Sequence, residues 1–273
     1  MGCPAPPPKS ALTGVAGAFF TRAGGALVPS PDARSPWSDQ MLHGRLLAAL
    51  AARAVEEKEL GGGMTPVRLT IDLFRAAPMS PVTVSTEVVR DGHRVKVAEV
   101  TILCEGREVA RASALMMRGG PPVPGRVWGQ EAWEVPDPEA LPEPSELPDG
   151  RRFPMDIRMT GTGGFGTYAR KRAWVREVRE LVEGESPSPF VRAAGAADLA
   201  NPLSNSGDAG LGFINGDLTV YLARLPEGEW LGLDVTTHIS DGAVAVGGCD
   251  LYDRRGRIGT ATVASVANPS LGF

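Results

Sequence analysis

The sequence predicts an α+β protein built from two copies of one folding unit. Three observations predict it: a segment that returns at a constant shift, one Ala-rich helical stripe in each half, and strand-like runs joined by short turns after each stripe. Leu69-Thr70-Ile71-Asp72-Leu73-Phe74-Arg75 returns as Leu218-Thr219-Val220-Tyr221-Leu222-Ala223-Arg224, a shift of 149. Asp91-Gly92 returns as Asp241-Gly242, and Gly106-Arg107-Glu108-Val109 as Gly256-Arg257-Ile258-Gly259, both shifted by 150. A shift held over a whole segment marks a duplication. Two copies are too few for a solenoid, whose core needs more repeats. Twin units pack on each other, and the interface between them is a natural place for a binding site.

The elements follow in order. Residues 1–10 are Pro-rich, and Leu12 to Phe20 reads as one or two short strands. Turn residues fill 30–40. A helix is then expected from His43 to about Lys58, with Leu46, Leu47, Leu50, Ala54 and Val55 as its apolar stripe. Ser38 or Asp39 is placed to cap its start and Gly61 to end it. Four strand-like runs come next: Val67–Arg75, Val82–Arg90, Arg94–Cys104 and Val109–Met117. The Asp91-Gly92 pair is a hairpin signal. Residues 119–150 hold eight prolines and many acids, which predicts an extended surface linker. The second unit is expected to repeat the pattern: strands at Met155–Thr160 and Lys171–Arg179, a helix from Pro189 to about Leu203, and strands at Phe213–Arg224, Trp230–Ile239, Ala243–Asp253 and Ile258–Ala267. A long antiparallel sheet wrapped around one helix is the hotdog arrangement. Two in one chain make a double hotdog, with an N-terminal unit at 1–120, the linker at 121–150 and a C-terminal unit at 151–273.

Composition narrows the function classes. The chain has 273 residues, 42% hydrophobic and 22% charged, with a net charge of −4. That balance argues against nucleic acid, which wants a basic face. No apolar run reaches 18 residues, so no transmembrane helix is expected, and the start lacks the pattern of a signal peptide. The cytoplasm is the expected location. Cys3, Cys104 and Cys249 show no metal-ligand spacing, so neither a zinc site nor a disulfide framework is implied.

Several short blocks carry a family resemblance. In the first half they are Pro36-Trp37, His43-Gly44 and Leu47-Ala48-Ala49-Leu50-Ala51-Ala52-Arg53-Ala54. In the second they are Ala196-Ala197-Asp198 with Asn201, Phe213 to Val220, Gly228-Glu229-Trp230, Leu251-Tyr252-Asp253 and Gly256 to Gly259. Over about residues 10–268 these resemble actinobacterial thioesterase-like proteins of the double-hotdog acyl-CoA thioesterase superfamily. The resemblance implies an acyl-CoA or acyl-carrier-protein thioester as substrate, no cofactor, and a chain that already supplies its own hotdog pair. A homodimer is allowed but not required. Thioesterase II enzymes hold the attacking water with an Asp on the second helix and a Thr and a Gln on second-half strands. The Asp matches Asp198. The Thr position, two residues before Asp217, is Asn215 here, and the Gln position falls on Ala264, or on Val263 if the register slips by one.

Thioester hydrolysis needs an activated water, a donor for the carbonyl oxygen and an apolar cleft. Asp198 is the candidate water holder or general base, because a carboxylate on an Ala-rich helix face is costly unless it has a task. Asn215 can donate and accept, which suits it to water or the thioester carbonyl; a strand-end amide is its other reading. His43-Gly44 stands at the first helix start, where unpaired N–H groups and positive potential suit an oxyanion, and Gly44 lets a carbonyl approach the backbone. His43 also lies four residues after Asp39, a pairing that would move a proton in a hydratase. Trp37, Arg45, Asn201 and Asp217 complete the substrate-binding candidates. Asn201 is expected to cap the helix end before Pro202 or to bond Asp198, and Asp217 to pair with an arginine. Arg45, Arg53, Arg170, Lys171 and Arg172 are the cations available for a pantetheine diphosphate. Gly161 to Gly166 reads as a flexible loop at a site mouth, and His93 and His238 as solvated turn residues. Two alternatives stand beside hydrolysis: a thioester-tailoring enzyme such as a dehydratase or cyclase, and a non-catalytic acyl-binding protein.

Overall fold

The computed structural model describes residues 17–58, 62–129, 133–143 and 153–268. The N-terminal Pro-rich run and Gly61 lie outside them. Fourteen strands form one sheet: β1 (Ala18–Ala23), β2 (Ala26–Pro29), β3 (Met64–Leu73), β4 (Val82–Asp91), β5 (Val95–Cys104), β6 (Arg107–Arg118), β7 (Asp156–Met159), β8 (Arg172–Arg176), β9 (Glu180–Val182), β10 (Phe213–Asn215), β11 (Asp217–Leu222), β12 (Trp230–Asp241), β13 (Val244–Asp253) and β14 (Gly256–Ala267). Their order is β9-β1-β2-β4-β5-β6-β3-β11-β14-β13-β12-β8-β7, with β10 beside β14. Only β1 and β9 pair in parallel.

The duplication is written into the centre of this sheet. The repeated segments are β3 and β11, and they pair antiparallel with Thr70 opposite Thr219. Those two residues are equivalent under the shift of 149, so a local two-fold relation passes between them, and the Thr219 hydroxyl donates to the Thr70 hydroxyl at 3.1 Å. On each side the same meander unrolls outward: β6-β5-β4 on one, β14-β13-β12 on the other.

Each half lays helix against sheet. Helix α1 (Gly44–Glu57) buries residues on nearly all sides, Arg45 through Ala52 with Ala54 and Val55, because strands curve around it. Ala at these positions brings the helix close to its neighbours and helps it form. Its cap is His43, whose Nδ1 accepts from the Arg45 N–H at 3.4 Å, rather than Ser38 or Asp39.

The second stripe is not one helix. Helix α2 (Pro189–Ala197) has Ser188 as its cap, accepting from the Val191 N–H at 3.1 Å, with Pro189 pre-set for the first turn. It stops at Asp198 and restarts as α3 (Ala200–Asn205). Pro202 explains the break. Its ring has no N–H for the Asp198 carbonyl four residues earlier and clashes with that carbonyl. That carbonyl instead accepts from the Asn201 N–H at 3.2 Å.

Helices α1 and α2 lie antiparallel. Ser188 at the start of α2 donates to Glu56 at the end of α1 at 2.6 Å, while Asp198 at the end of α2 faces Gly44 at the start of α1.

The linker is anchored, not merely draped. Trp133 stacks between Trp174 and Tyr252, with ring centroids 5.0 and 4.6 Å away. It lies on Gly232, where any side chain would collide with the indole. Trp174 Nε1 donates to the Pro136 carbonyl at 3.1 Å, and Arg158 donates to those of Pro138 and Leu141. This strap carries Pro142 and Glu143 to the wall of the cavity described next.

Candidate active site

At the end of the helix pair where α1 starts and α2 stops lies a cavity of about 1040 Å³ with a largely apolar wall. The loop before α1 contributes Pro36, Trp37 and Met41, and α1 itself His43, Gly44 and Leu47. Phe153, Ile157 and Met159 close a second side, Phe165 and Gly166 a third. The glycine-rich loop therefore does border the cavity. Asp198, Asn201 and Asn215 are among the polar residues of the wall.

Asp198 is 8% exposed and sits on the helix break. Its Oδ1 accepts from Asn215 Nδ2 at 3.0 Å. Its Oδ2 lies 3.7 Å from where a Cβ on Gly44 would stand, so the bare glycine presents α1 directly to the carboxylate. Burial raises the Asp198 pKa, and the Asn215 amide, the Arg45 charge and the Arg45 N–H offset only part of that. A carboxyl raised in this way is a stronger base than a solvated one. The Gly44 N–H has no acceptor among the described residues.

His43 borders the cavity but is neither charged nor paired with Asp39, which is exposed. Its ring stands edge-on to Phe153 with centroids 6.1 Å apart. Burial first, then the Arg45 charge, pushes its pKa down to about 3, so it is a neutral helix cap. Trp37 lines the cavity.

Three other candidates are placed differently from expectation. The Arg45 side chain is 1% exposed, ion-paired with Glu177, bonded to the Pro154 carbonyl at 3.0 Å and stacked on Phe19. Helix α1 turns it inward, so only its N–H and its field reach the site. Asp217 accepts from the Ala264 N–H at 2.6 Å, clips β11 to β14, and pairs with no arginine among the described residues. Asn201 lines the cavity but neither caps a helix end nor bonds Asp198 through its side chain. Its Nδ2 donates to the Phe213 carbonyl at 3.2 Å, and its Oδ1 accepts from Asn205 and Ser265, each at 2.9 Å.

Ser265 and Asn205 were missed by sequence reasoning. On β14 the inward positions are Val263 and Ser265, whereas Ala264 points outward. Ser265 pairs directly opposite Asn215. The inward polar residue of this strand is thus one place beyond Ala264. A serine among buried, alternating apolar residues was the available signal. His238 is exposed, as expected, and its Nδ1 also bonds Asn205 Oδ1 at 2.8 Å. No group of three or more metal-ligating side chains exists among the described residues.

Two family models match the chain: an acyl-CoA thioesterase N-terminal domain over residues 33–117 and an acyl-CoA thioesterase C-terminal domain over residues 130–264. The chain belongs to the acyl-CoA thioesterase family. No curated protein matches it in sequence. Among solved structures, this acyl-CoA thioesterase family member is similar to a tesB protein of Mycobacterium avium subs paratuberculosis, with 19% identity, 92% of this chain and 96% of that one covered, and a TM-score of 0.66. It is similar to a conserved protein of unknown function with a hot dog fold from Alicyclobacillus acidocaldarius, at 16% identity, 91% and 95% coverage and a TM-score of 0.70. An acyl-CoA thioesterase II, TesB2, from Mycobacterium marinum matches at 16% identity, 82% and 90% coverage and 0.62. These likenesses establish a hotdog fold. No described helix is long and apolar enough to cross a membrane.

Proposed function

We propose that the chain is a double hotdog, with units at 1–120 and 151–273 joined by the 121–150 linker, and that it hydrolyses an acyl thioester at the cavity between α1 and the α2–α3 break. The observation that carries this reading is a buried Asp198 carboxyl with a raised pKa, hydrogen-bonded to Asn215 and set directly against Gly44 at the start of α1, on the wall of a largely apolar cavity. The acyl chain fills the cavity, and its carbonyl oxygen meets the free Gly44 N–H, where helix potential stabilises developing negative charge. Asp198 takes a proton from a water held with Asn215, and the water oxygen adds to the carbonyl carbon. The tetrahedral intermediate collapses, the C–S bond breaks, and the thiolate leaves with the proton from Asp198. The products are a carboxylic acid and a free thiol, and no cofactor takes part.

One observation favours a second reading. Val263 is core and Ala264 faces outward, so neither replaces the amide of the thioesterase II pattern. A protein that binds acyl thioesters without turning them over would tolerate that change. An acyl-CoA panel with thiol detection and product mass decides. Thiol release lost in Asp198→Ala supports hydrolysis. Tight binding without release supports the acyl-binding reading, and a product of altered mass without release overturns both.

A further inference from the structure

The cations nominated by the sequence for a phosphate-bearing carrier are all engaged. Arg45 is buried on Glu177, and Arg53 is held by Glu185 and Glu57. Arg170 and Arg172 share Asp234. Lys171 is 3% exposed and donates at 2.7 Å to the carbonyl of Ser206, where α3 ends, which is a helix-terminus role. A different residue is free. Arg75 is exposed, follows the end of β3, and among the described residues is the one lysine or arginine that lines the cavity. It has no hydrogen bond or ion pair with any described residue. The Leu73 side chain, two residues earlier, lies 3.7 Å from the Cβ position of Gly44, so Arg75 stands at most about 7 Å of chain beyond the catalytic end.

We infer that Arg75 binds the phosphate of a phosphopantetheine-type carrier as it leaves the cavity, and so marks the side from which the thioester enters. This rests on the hydrolase reading. The acyl chain is apolar and needs the buried wall. The carrier's phosphate is anionic and needs a cation that is not already neutralised. A guanidinium gives a phosphate two parallel N–H donors.

The test compares Arg75→Ala and Arg75→Lys with the wild type on two thioesters of one acyl chain. One is on coenzyme A; the other is on N-acetylcysteamine, which has no phosphate. Arg75→Ala is expected to raise KM for the coenzyme A thioester about three- to tenfold with kcat within twofold, and to leave the N-acetylcysteamine thioester unchanged. Arg75→Lys recovers part of the loss, and added salt raises KM in the wild type more than in Arg75→Ala. Repeating the assay with a carrier-protein thioester separates the sources: loss on both carriers assigns the shared phosphate, loss on coenzyme A alone its nucleotide phosphates. Equal changes on both small thioesters, or none, overturn the inference. If the wild type releases no thiol, calorimetric binding of a non-hydrolysable acyl-coenzyme A thioether replaces turnover. Weaker binding in Arg75→Ala then supports Arg75 while the hydrolase reading fails, and unchanged binding overturns it.

Discussion

The two ends of the antiparallel helix pair are equivalent by duplication and opposite in character. Where α1 starts, a single carboxylate, Asp198, faces the helix N-terminus beside a cavity with an apolar wall. Where α2 starts, Glu56 faces the helix N-terminus in the same sense, held by Ser188. That end is filled. Arg53 binds Glu185 at 2.6 and 2.9 Å and Glu57 at 2.6 and 3.0 Å, and Arg22 joins the cluster. Burial alone would raise the Glu185 pKa, yet bonds from Arg53 and Arg22 hold it below the usual carboxylate range. So each end holds one carboxylate that burial raises and no ion pair neutralises, Asp198 and Glu56; beside Glu56 the arginines and glutamates neutralise one another, whereas Asp198 adjoins the cavity. An unpaired buried carboxylate is costly at either end, and of the two only Asp198 lines a cavity that a substrate could fill. This contrast is why the proposed hydrolysis is placed at the α1 end.

The strongest way to break it is at Asp198. Asp198→Asn keeps the shape and removes the base, so kcat should fall by about 10²–10⁴. The same change should raise Tm by about 2–4 °C, since it relieves a buried charge. Thiol release and calorimetry on one preparation read both. Loss of stability together with activity would mean that Asp198 is structural. Next in size is Asn215→Ala, expected to lower kcat by about ten- to a hundredfold and to move the acid limb of the pH profile upward, because the amide holds the Asp198 pKa down. Gly44→Ala should cost about tenfold in kcat/KM. Its methyl sits at ordinary contact from the carboxylate, where a carbonyl must approach, while helix propensity stabilises the fold slightly. At the filled end, Arg53→Ala should cost about 1–2 kcal/mol by denaturant midpoint and leave kcat within twofold.

The pH dependence sharpens the contrast further. Asp198 has a raised pKa, so kcat/KM should fall on the acid side with a midpoint above the ordinary 3.8. His43 affects stability instead. It stays neutral in the fold down to about pH 3 but charges near 6.5 when unfolded. The unfolded chain therefore binds the extra proton, and stability drops as pH falls from about 6.5 towards 3. His43→Asn should flatten that drop in urea midpoints without adding a limb to the rate profile.

Much of this was legible in the sequence, for physical reasons. The α1 stripe repeats every third and fourth residue, and the β3 and β11 segments match closely enough to reveal the repeat, whereas their pairing around Thr70 and Thr219 is seen only in the fold. Asp198, Asn215, His43 and Gly44 meet at one wall because the helix starts and strand ends they occupy converge there. What stayed hidden depends on three dimensions. The apolar stripe runs unbroken to Leu203, and Pro202 acts four residues upstream, so the break at Asp198 does not show as a change of composition. Arg45 reads as a surface cation, but the face of α1 that carries it is covered. Ser265 was one register position away from the residue considered. Trp133 sits in a stretch whose prolines and acids say linker, and its anchor, Gly232, lies nearly a hundred residues away.

The most direct test places the two ends side by side: steady-state thiol release from one acyl-coenzyme A by Asp198→Asn and by Arg53→Ala. Release should fall by about 10²–10⁴ in the first and persist near the wild-type rate in the second. Turnover that survives the loss of the Asp198 charge would contradict the assignment of the working end.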